Sequence, residues 1–146
     1  MSESKNKPSG PLQVNVVTPT GVITTTGTNA VTAPGELGEF EVLPGHIPFL
    51  TSLHPGVMVL GEGKRVDVYA VSRGYLKVGM AGDIEVLVER AVSGAKVDTE
   101  AATSERDDAR SALDAWKNKP QNAEWQTLKD RHDWAQALLD AHARAS

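Results

Sequence analysis

The stretch D-I-E-V-L-V-E-R-A-V-S-G-A-K-V-D-T-E-A-A, residues 83–102, changes its period partway through. Up to Val88 it alternates: Ile84, Val86 and Val88 share one face and Glu85 faces the other way, the two-residue repeat of a half-buried strand. After Val97 it reads as a helix start. Asp98 or Thr99 can cap a first turn, and the acidic Glu100 favours the positive end of the helix dipole. The fold therefore turns from β to α near Val97.

Composition places the same boundary. All 13 glycines lie between Gly10 and Gly94, and seven of the eight prolines precede Val97. Beyond it there are no glycines, one proline (Pro120) and eleven alanines. Glycine and proline punctuate short strands, whereas alanine is the strongest helix former.

Before the boundary, Leu12, Val14 and Val16 alternate with Gln13 and Asn15. Val66, Val68 and Ala70 alternate with Arg65, Asp67 and Tyr69. Turn signals separate these runs: Pro19-Thr20-Gly21, Pro34-Gly35, Pro44-Gly45, Pro55-Gly56, Gly61-Glu62-Gly63 and Ala81-Gly82-Asp83. Many short strands without intervening helices predict an antiparallel β-sandwich or barrel over 12–96. With no long crossover segment, a parallel sheet is disfavoured. Residues 1–11, rich in Ser, Lys, Pro and Gly, read as a disordered arm rather than a secretory signal.

After the boundary, residues 97–146 predict an antiparallel two-helix hairpin. Ala102, Ala109, Ala112, Leu113 and Trp116 form one stripe, Asn118-Lys119-Pro120 breaks it, and Asn122 can cap a second helix. That second helix carries two stripes. Trp125, Leu128, Ala135 and Leu139 suit the hairpin partner; Trp134, Leu138 and Ala141 need another surface, either the sandwich or a different protein.

Catalytic chemistry is hard to place. His46, His54, His132 and His142 have no metal-ligand spacing, and His132, between Arg131 and Asp133, reads as a surface residue. Ser72, Ser93 and the Thr24-Thr25-Thr26 run lack a nucleophile elbow, and the threonines suit a strand. Gly61-Glu62-Gly63-Lys64 lacks the spacing of a phosphate loop and reads as a hairpin turn. Glu36, Glu39 and Glu41 cluster without a partner acid or metal ligand. A net charge of −4 argues against nucleic acid, the absence of cysteine excludes disulfides and thiolate sites, and no run approaches the ~20 apolar residues of a membrane span. By residue chemistry the chain is a two-part interaction protein without cofactor or metal. A rival reading is a free-standing β-sandwich ligand-binding or adaptor module. It is poorly supplied, because the β half has only Phe40, Phe49, Tyr69 and Tyr75 to offer as aromatic platform.

The run Gly38-Glu39-Phe40-Glu41-Val42-Leu43-Pro44-Gly45-His46-Ile47-Pro48-Phe49-Leu50-Thr51, followed by Leu53-His54-Pro55-Gly56, resembles the signature of ATP synthase epsilon subunits, G-E-L-G-x-L-P-G-H-x-P-L-L-T. The gapless register puts Glu41 at the family's second glycine, so that position cannot rely on a positive φ. Reading Glu36-Leu37-Gly38 as the family's E-L-G would require an insertion. Leu12 to Thr18, Gly74 to Val78 and Asp83 to Val88 resemble further strands of the family, and the likeness spans roughly residues 12 to 144.

The resemblance implies a non-catalytic rotor subunit of a bacterial F-type ATP synthase, peripheral to the cytoplasmic face of the inner membrane. The absence of a transit peptide agrees with a bacterial origin. Its sandwich would dock on the gamma subunit and touch the c-ring, coupling proton transport to ATP synthesis in the alpha/beta hexamer. Glu39 and His46, with Ile47 and Phe49 beside His46, are the implied c-ring contacts. The hairpin would extend toward the beta subunits and brake ATP hydrolysis, with Trp134, Leu138, Arg131 and Arg144 as contacts. Some bacterial members bind ATP in the folded hairpin through an I/L-D-x-x-R-A motif. Here Ala101 stands for its arginine and Asp140 for another, which predicts weak binding or none.

Overall fold

The computed structural model describes residues 10–146, so most of the expected N-terminal arm lies outside the described residues. Ten strands run in order: β1 (Leu12–Thr18), β2 (Gly21–Thr28), β3 (Val31–Gly35), β4 (Gly38–Val42), β5 (Phe49–Leu53), β6 (Gly56–Glu62), β7 (Arg65–Val71), β8 (Gly74–Val78), β9 (Asp83–Val88) and β10 (Ala91–Ser93). A 3₁₀ turn, Gly94–Lys96, leads to α1 (Thr99–Asp114) and α2 (Ala123–Ala145).

The strands form one folded-over sheet in the order β10-β7-β6-β3-β5-β8-β9-β1-β2, with β4 branching from β3. All pairs are antiparallel except β1 with β9, which run parallel from Gln13 opposite Asp83 to Val17 opposite Leu87. The sheet is thus antiparallel as expected, apart from this one pair. The crossover that parallel strands require is here the whole intervening domain, not one helix. Glycines serve the reversals: Gly63, at φ 68°, sits in the β6–β7 hairpin where Glu62 pairs with Arg65, so Gly61-Glu62-Gly63-Lys64 is a turn.

Leu12, Val14 and Val16 of β1 point inward with Leu53, Leu76, Ile84 and Val86, and all are fully buried. Thr24, Thr26 and Thr28 take the inward positions of β2. The Thr28 hydroxyl donates to the Ala30 carbonyl at 3.2 Å, and among the described residues no buried side-chain polar atom lacks a partner. Tyr69 of β7 reaches Thr24 of β2 across the fold. Burial raises its phenol pKa, the hydrogen bond with Thr24 opposes that, and the Asp67 charge adds to it.

Strand β7 alternates as expected, and both of its faces are covered. Val68 and Ala70 lie in a second cluster under α2, while Tyr69 and Val71 belong to the main core. Strand β6 is covered on both sides, with Met58 and Leu60 inside and Val57 and Val59 beneath α2. A strand covered on both faces can be apolar on both.

Asp98 caps α1 by accepting from the Ala101 amide at 3.1 Å, and Asn122 caps α2 by accepting from Trp125 at 3.1 Å. Between the helices Lys117 adopts φ 42°, the one positive φ among the described non-glycine residues. Glu41 lies within β4 and needs no such conformation.

Candidate interaction surfaces

The loop between β4 and β5 opens with a tight reversal. The His46 amide donates to the Leu43 carbonyl at 3.1 Å, with Pro44 and Gly45 at the two central positions and Gly45 at φ 85°. Proline first and a left-handed glycine second define a type II turn. The His46 ring, 5.0 Å from that of Phe49, donates from Nδ1 to the Ile47 carbonyl at 3.1 Å. Phe49 in turn meets Phe40 edge-on at 6.0 Å. The aromatic stack fixes the loop, leaving Leu43 exposed and Ile47 73% exposed. Phe49 pairs with Val78, so the β8–β9 turn lies alongside, carrying Met80 at 92% exposure. Leu43, His46, Ile47 and Met80 thus rim one end of the sandwich. Glu39 is not among them: it pairs with Pro34 at the other end of β4, beside the β3–β4 turn.

The outer face of β5, β8, β9, β1 and β2 has no helix over it. Register aligns Ser52, Tyr75, Leu87, Val17 and Val22 across five strands. Tyr75, Leu87 and Val22 are about half exposed or more. The neighbouring row, Leu50, Lys77, Glu85, Asn15 and Thr25, is mostly polar, with Thr25 donating to Asn15 at 2.8 Å. An open groove of about 590 Å³ follows the apolar row, bordered by Thr18, Glu36 and Arg73. The sequence carried a signal for this face: Val17 and Leu87 stand where strict alternation would put polar residues.

The opposite outer face is covered by α2. Trp134 (8% exposed), Ala137, Leu138 and Ala141 pack on Val57, Val59, Val66, Val68, Ala70 and Val92, and the Arg90 guanidinium lies 4.6 Å above the Trp134 ring. In this conformation the second stripe rests on the chain's own sheet, and Ala135 is buried with Ala102 and Ala109 on the hairpin side. Small alanines let the helix approach closely but bury little area each, so Trp134 and Leu138 are the large apolar side chains of the seam.

A groove of about 400 Å³ runs beside this seam, bordered by Ala101, Arg131, Trp134, Leu138 and the cations of Arg90 and Lys96. Two acids share it. Glu105 pairs with Arg131 at 2.7 Å, and Asp98 is engaged as the α1 cap. Arg144 lines a separate recess with Lys64 and Asp67, and Asp140 is exposed, accepting from Gln136 at 2.9 Å. Position 101 is alanine, Arg131 is engaged by Glu105, and Arg144 lies in the separate recess.

His132 is not the free surface residue its neighbours in sequence suggest. Its ring and Lys129 contact the Asp133 carboxylate at 3.0 and 2.9 Å, and that carboxylate side chain is 14% exposed. Burial pushes the Asp133 carboxyl up, but hydrogen bonds and charge from His132 and Lys129 outweigh it and hold it below the usual range. Among the described residues no cluster of His, Cys, Asp and Glu could hold a metal ion, and no helix is long and apolar enough to cross a membrane.

A ten-stranded sandwich carrying a docked helical hairpin, with one apolar tip and one uncovered apolar face, defines a docking module. The chain belongs to the ATP synthase delta/epsilon family, whose β-sandwich domain matches residues 11–94. It is 40% identical over 130 residues to the ATP synthase epsilon chain of Magnetococcus marinus, covering 89% of this chain and 93% of that one. It is 41% identical over 102 residues to the epsilon chain of Geobacter metallireducens, covering 70% and 73%. The fold is shared with a chain in the cryo-EM structure of the Euglena gracilis mitochondrial ATP synthase. There the TM-score is 0.75 at 20% identity, covering 95% of this chain and 84% of that chain.

Proposed function

We propose that the chain is a non-catalytic central-stalk subunit of a bacterial F-type ATP synthase, linking the gamma subunit to the c-ring at the cytoplasmic face of the inner membrane. The observation that carries this reading is the likeness to the Magnetococcus marinus epsilon chain along sandwich and hairpin alike. Two surfaces support it. The rim of Leu43, His46, Ile47 and Met80 offers a c-ring one imidazole for its polar loop groups and, around it, apolar side chains for their aliphatic parts, all held on a rigid turn. The uncovered row of Tyr75, Leu87, Val17 and Val22 suits gamma, being broad and apolar with a polar border. Glu39 remains a partner for a basic residue, through a different part of the surface from His46.

The hairpin is the regulatory part of this proposal. Lifting the hairpin would free Trp134 and Leu138 for the beta subunits, parting α2 from α1 would release Arg131 from Glu105, and both would serve to brake ATP hydrolysis. The groove beside Ala101 does not take ATP at physiological affinity, so nucleotide does not set the hairpin's position.

The test is capture of the tagged chain from detergent-solubilised membranes of its own organism, with mass spectrometry of what accompanies it. Recovery of alpha, beta, gamma and c subunits is expected. Ile47→Asp with Met80→Asp should lower c recovery relative to gamma, and Leu87→Asp should lower gamma. A folded chain that recovers none of them overturns the proposal.

A further inference from the structure

The uncovered face of the sandwich is not uniform along its strands. Its polar row carries one charge of each sign, with Lys77 directly opposite Glu85 on the neighbouring strand. The apolar row of Tyr75, Leu87, Val17 and Val22 is bordered differently. At the end of the sandwich away from His46, its groove is edged by Glu36 of the β3–β4 turn, Arg73 of the β7–β8 turn and Glu89, one residue past β9. The cation of that border is taken, since Arg73 donates to Asp130 at 3.0 Å. Glu36 and Glu89 are both exposed, and among the described residues neither has an ion-pair partner. The groove thus has an apolar floor and two unanswered carboxylates along one side.

We propose that Glu36 and Glu89 select what docks on this face, and that the groove takes an amphipathic helix with lysine or arginine on the flank facing these turns. The helix follows from the direction of the row. It runs across five strands whose backbone groups already pair with one another, so an occupant lying along it gains no ladder. An extended segment there would bury its own amides and carbonyls without partners, whereas a helix satisfies them internally. From Ser52 to Val22 the row crosses four strand spacings, about 19 Å, a length that about 13 helical residues match.

The basic flank follows from the border. A cation placed there meets a carboxylate with no competitor, while an acidic flank meets two like charges and is refused. The other flank of the helix lies over the row of Lys77 and Glu85, where the two signs are balanced and no particular charge is demanded. That the helix belongs to gamma rests on the central-stalk reading of the chain; the demand for a basic flank is a property of this surface.

The tagged full chain is held on a biosensor and the purified alpha–beta–gamma complex of its own organism, freed of its epsilon chain, is passed over it at low and high salt. Glu36→Gln and Glu89→Gln should each weaken binding about two- to fivefold at low salt, mostly through the association rate, and much less at high salt. Glu36→Lys with Glu89→Lys should weaken it further and reverse the salt dependence, a change of sign that loss of fit alone does not produce. Glu62→Gln, exposed at the end of β6, alters the net charge as much as either single variant and should bind like the parent chain. Parent-like affinity and salt dependence in the double Glu→Gln chain, with Leu87→Asp still abolishing binding, overturns the charge selection and leaves the gamma contact standing. A folded parent chain that does not bind, or whose apolar row instead pairs two copies of itself, overturns both.

Discussion

Alanine at position 94 would place a methyl group where α2 already is. A Cβ there would sit 2.5 Å from the Ala141 oxygen, 2.9 Å from its carbonyl carbon and 3.0 Å from the Ala145 Cβ. Two of these atoms are helix backbone, so no rotamer change relieves the clash. Carbon atoms in contact lie 3.5–4.0 Å apart, so the last turn of α2 must retreat by roughly 0.5–1 Å. Overpacking of this kind costs about 1–3 kcal/mol, and losing the His142 bond to the Gly94 carbonyl adds about 0.5–1.5 kcal/mol. The sum, about 1.5–4.5 kcal/mol, weakens docking by roughly tenfold to about 2,000-fold. Amide hydrogen exchange resolves the effect by segment. In Gly94→Ala, residues 130–145 should lose protection while β1, β8 and β9 keep theirs. Ala95→Ser, at an exposed neighbour, should change neither. Protection of α2 in Gly94→Ala within about twofold of the parent chain would refute the steric reasoning.

Trp134→Ala removes the largest side chain of the seam together with its Arg90 contact, and should destabilise the docked hairpin by about 3–5 kcal/mol. Limited proteolysis would release residues 97–146 while the sandwich survives. Asp133 has a lowered carboxyl pKa when folded, so its contribution is present above the unfolded value of ~3.9 and is lost as pH falls through the folded one. The α2 helix should thus lose stability in acid, and Asp133→Asn should flatten that limb of a pH titration followed by circular dichroism. Lys117→Gly relieves a left-handed residue at the hairpin bend and should raise the melting temperature of the helices, by about 0.5–1 kcal/mol of stability, as read by circular dichroism. Calorimetric titration of the free chain with ATP should show no micromolar binding; a micromolar dissociation constant would remove the argument built on Ala101 and Asp140.

The β-then-α order was legible because both periods are carried by local patterns, and so were the caps at Asp98 and Asn122. Two things were not. The sense of β7 depends on what lies above it: Val68 and Ala70 look like core residues and are buried, but under a helix that follows sixty residues later. The parallel pairing of β1 with β9 is a relation between distant segments, which alternation within each strand does not encode. The rim at His46 and Ile47 could be read from the Pro-Gly-His-Ile-Pro spacing, since proline and glycine fix backbone geometry directly. Met80 could not be joined to it without the Phe49–Val78 register. Gly94 was visible as the last glycine of the chain, yet its close approach to Ala141 exists only in three dimensions.

The pairing of Val14 with Ile84 joins residues seventy positions apart in sequence. During synthesis, β1 leaves the ribosome long before its partner exists, and its inner face of Leu12, Val14 and Val16 waits for β9. Closing so long a loop is entropically slow, so formation of this ladder should set the pace of folding. The hairpin emerges only after β9 is made, and its α2 needs the outer faces of β6 and β7 to dock on. Maturation of the chain therefore runs in one direction, with the piece proposed to move being also the last one to be put in place.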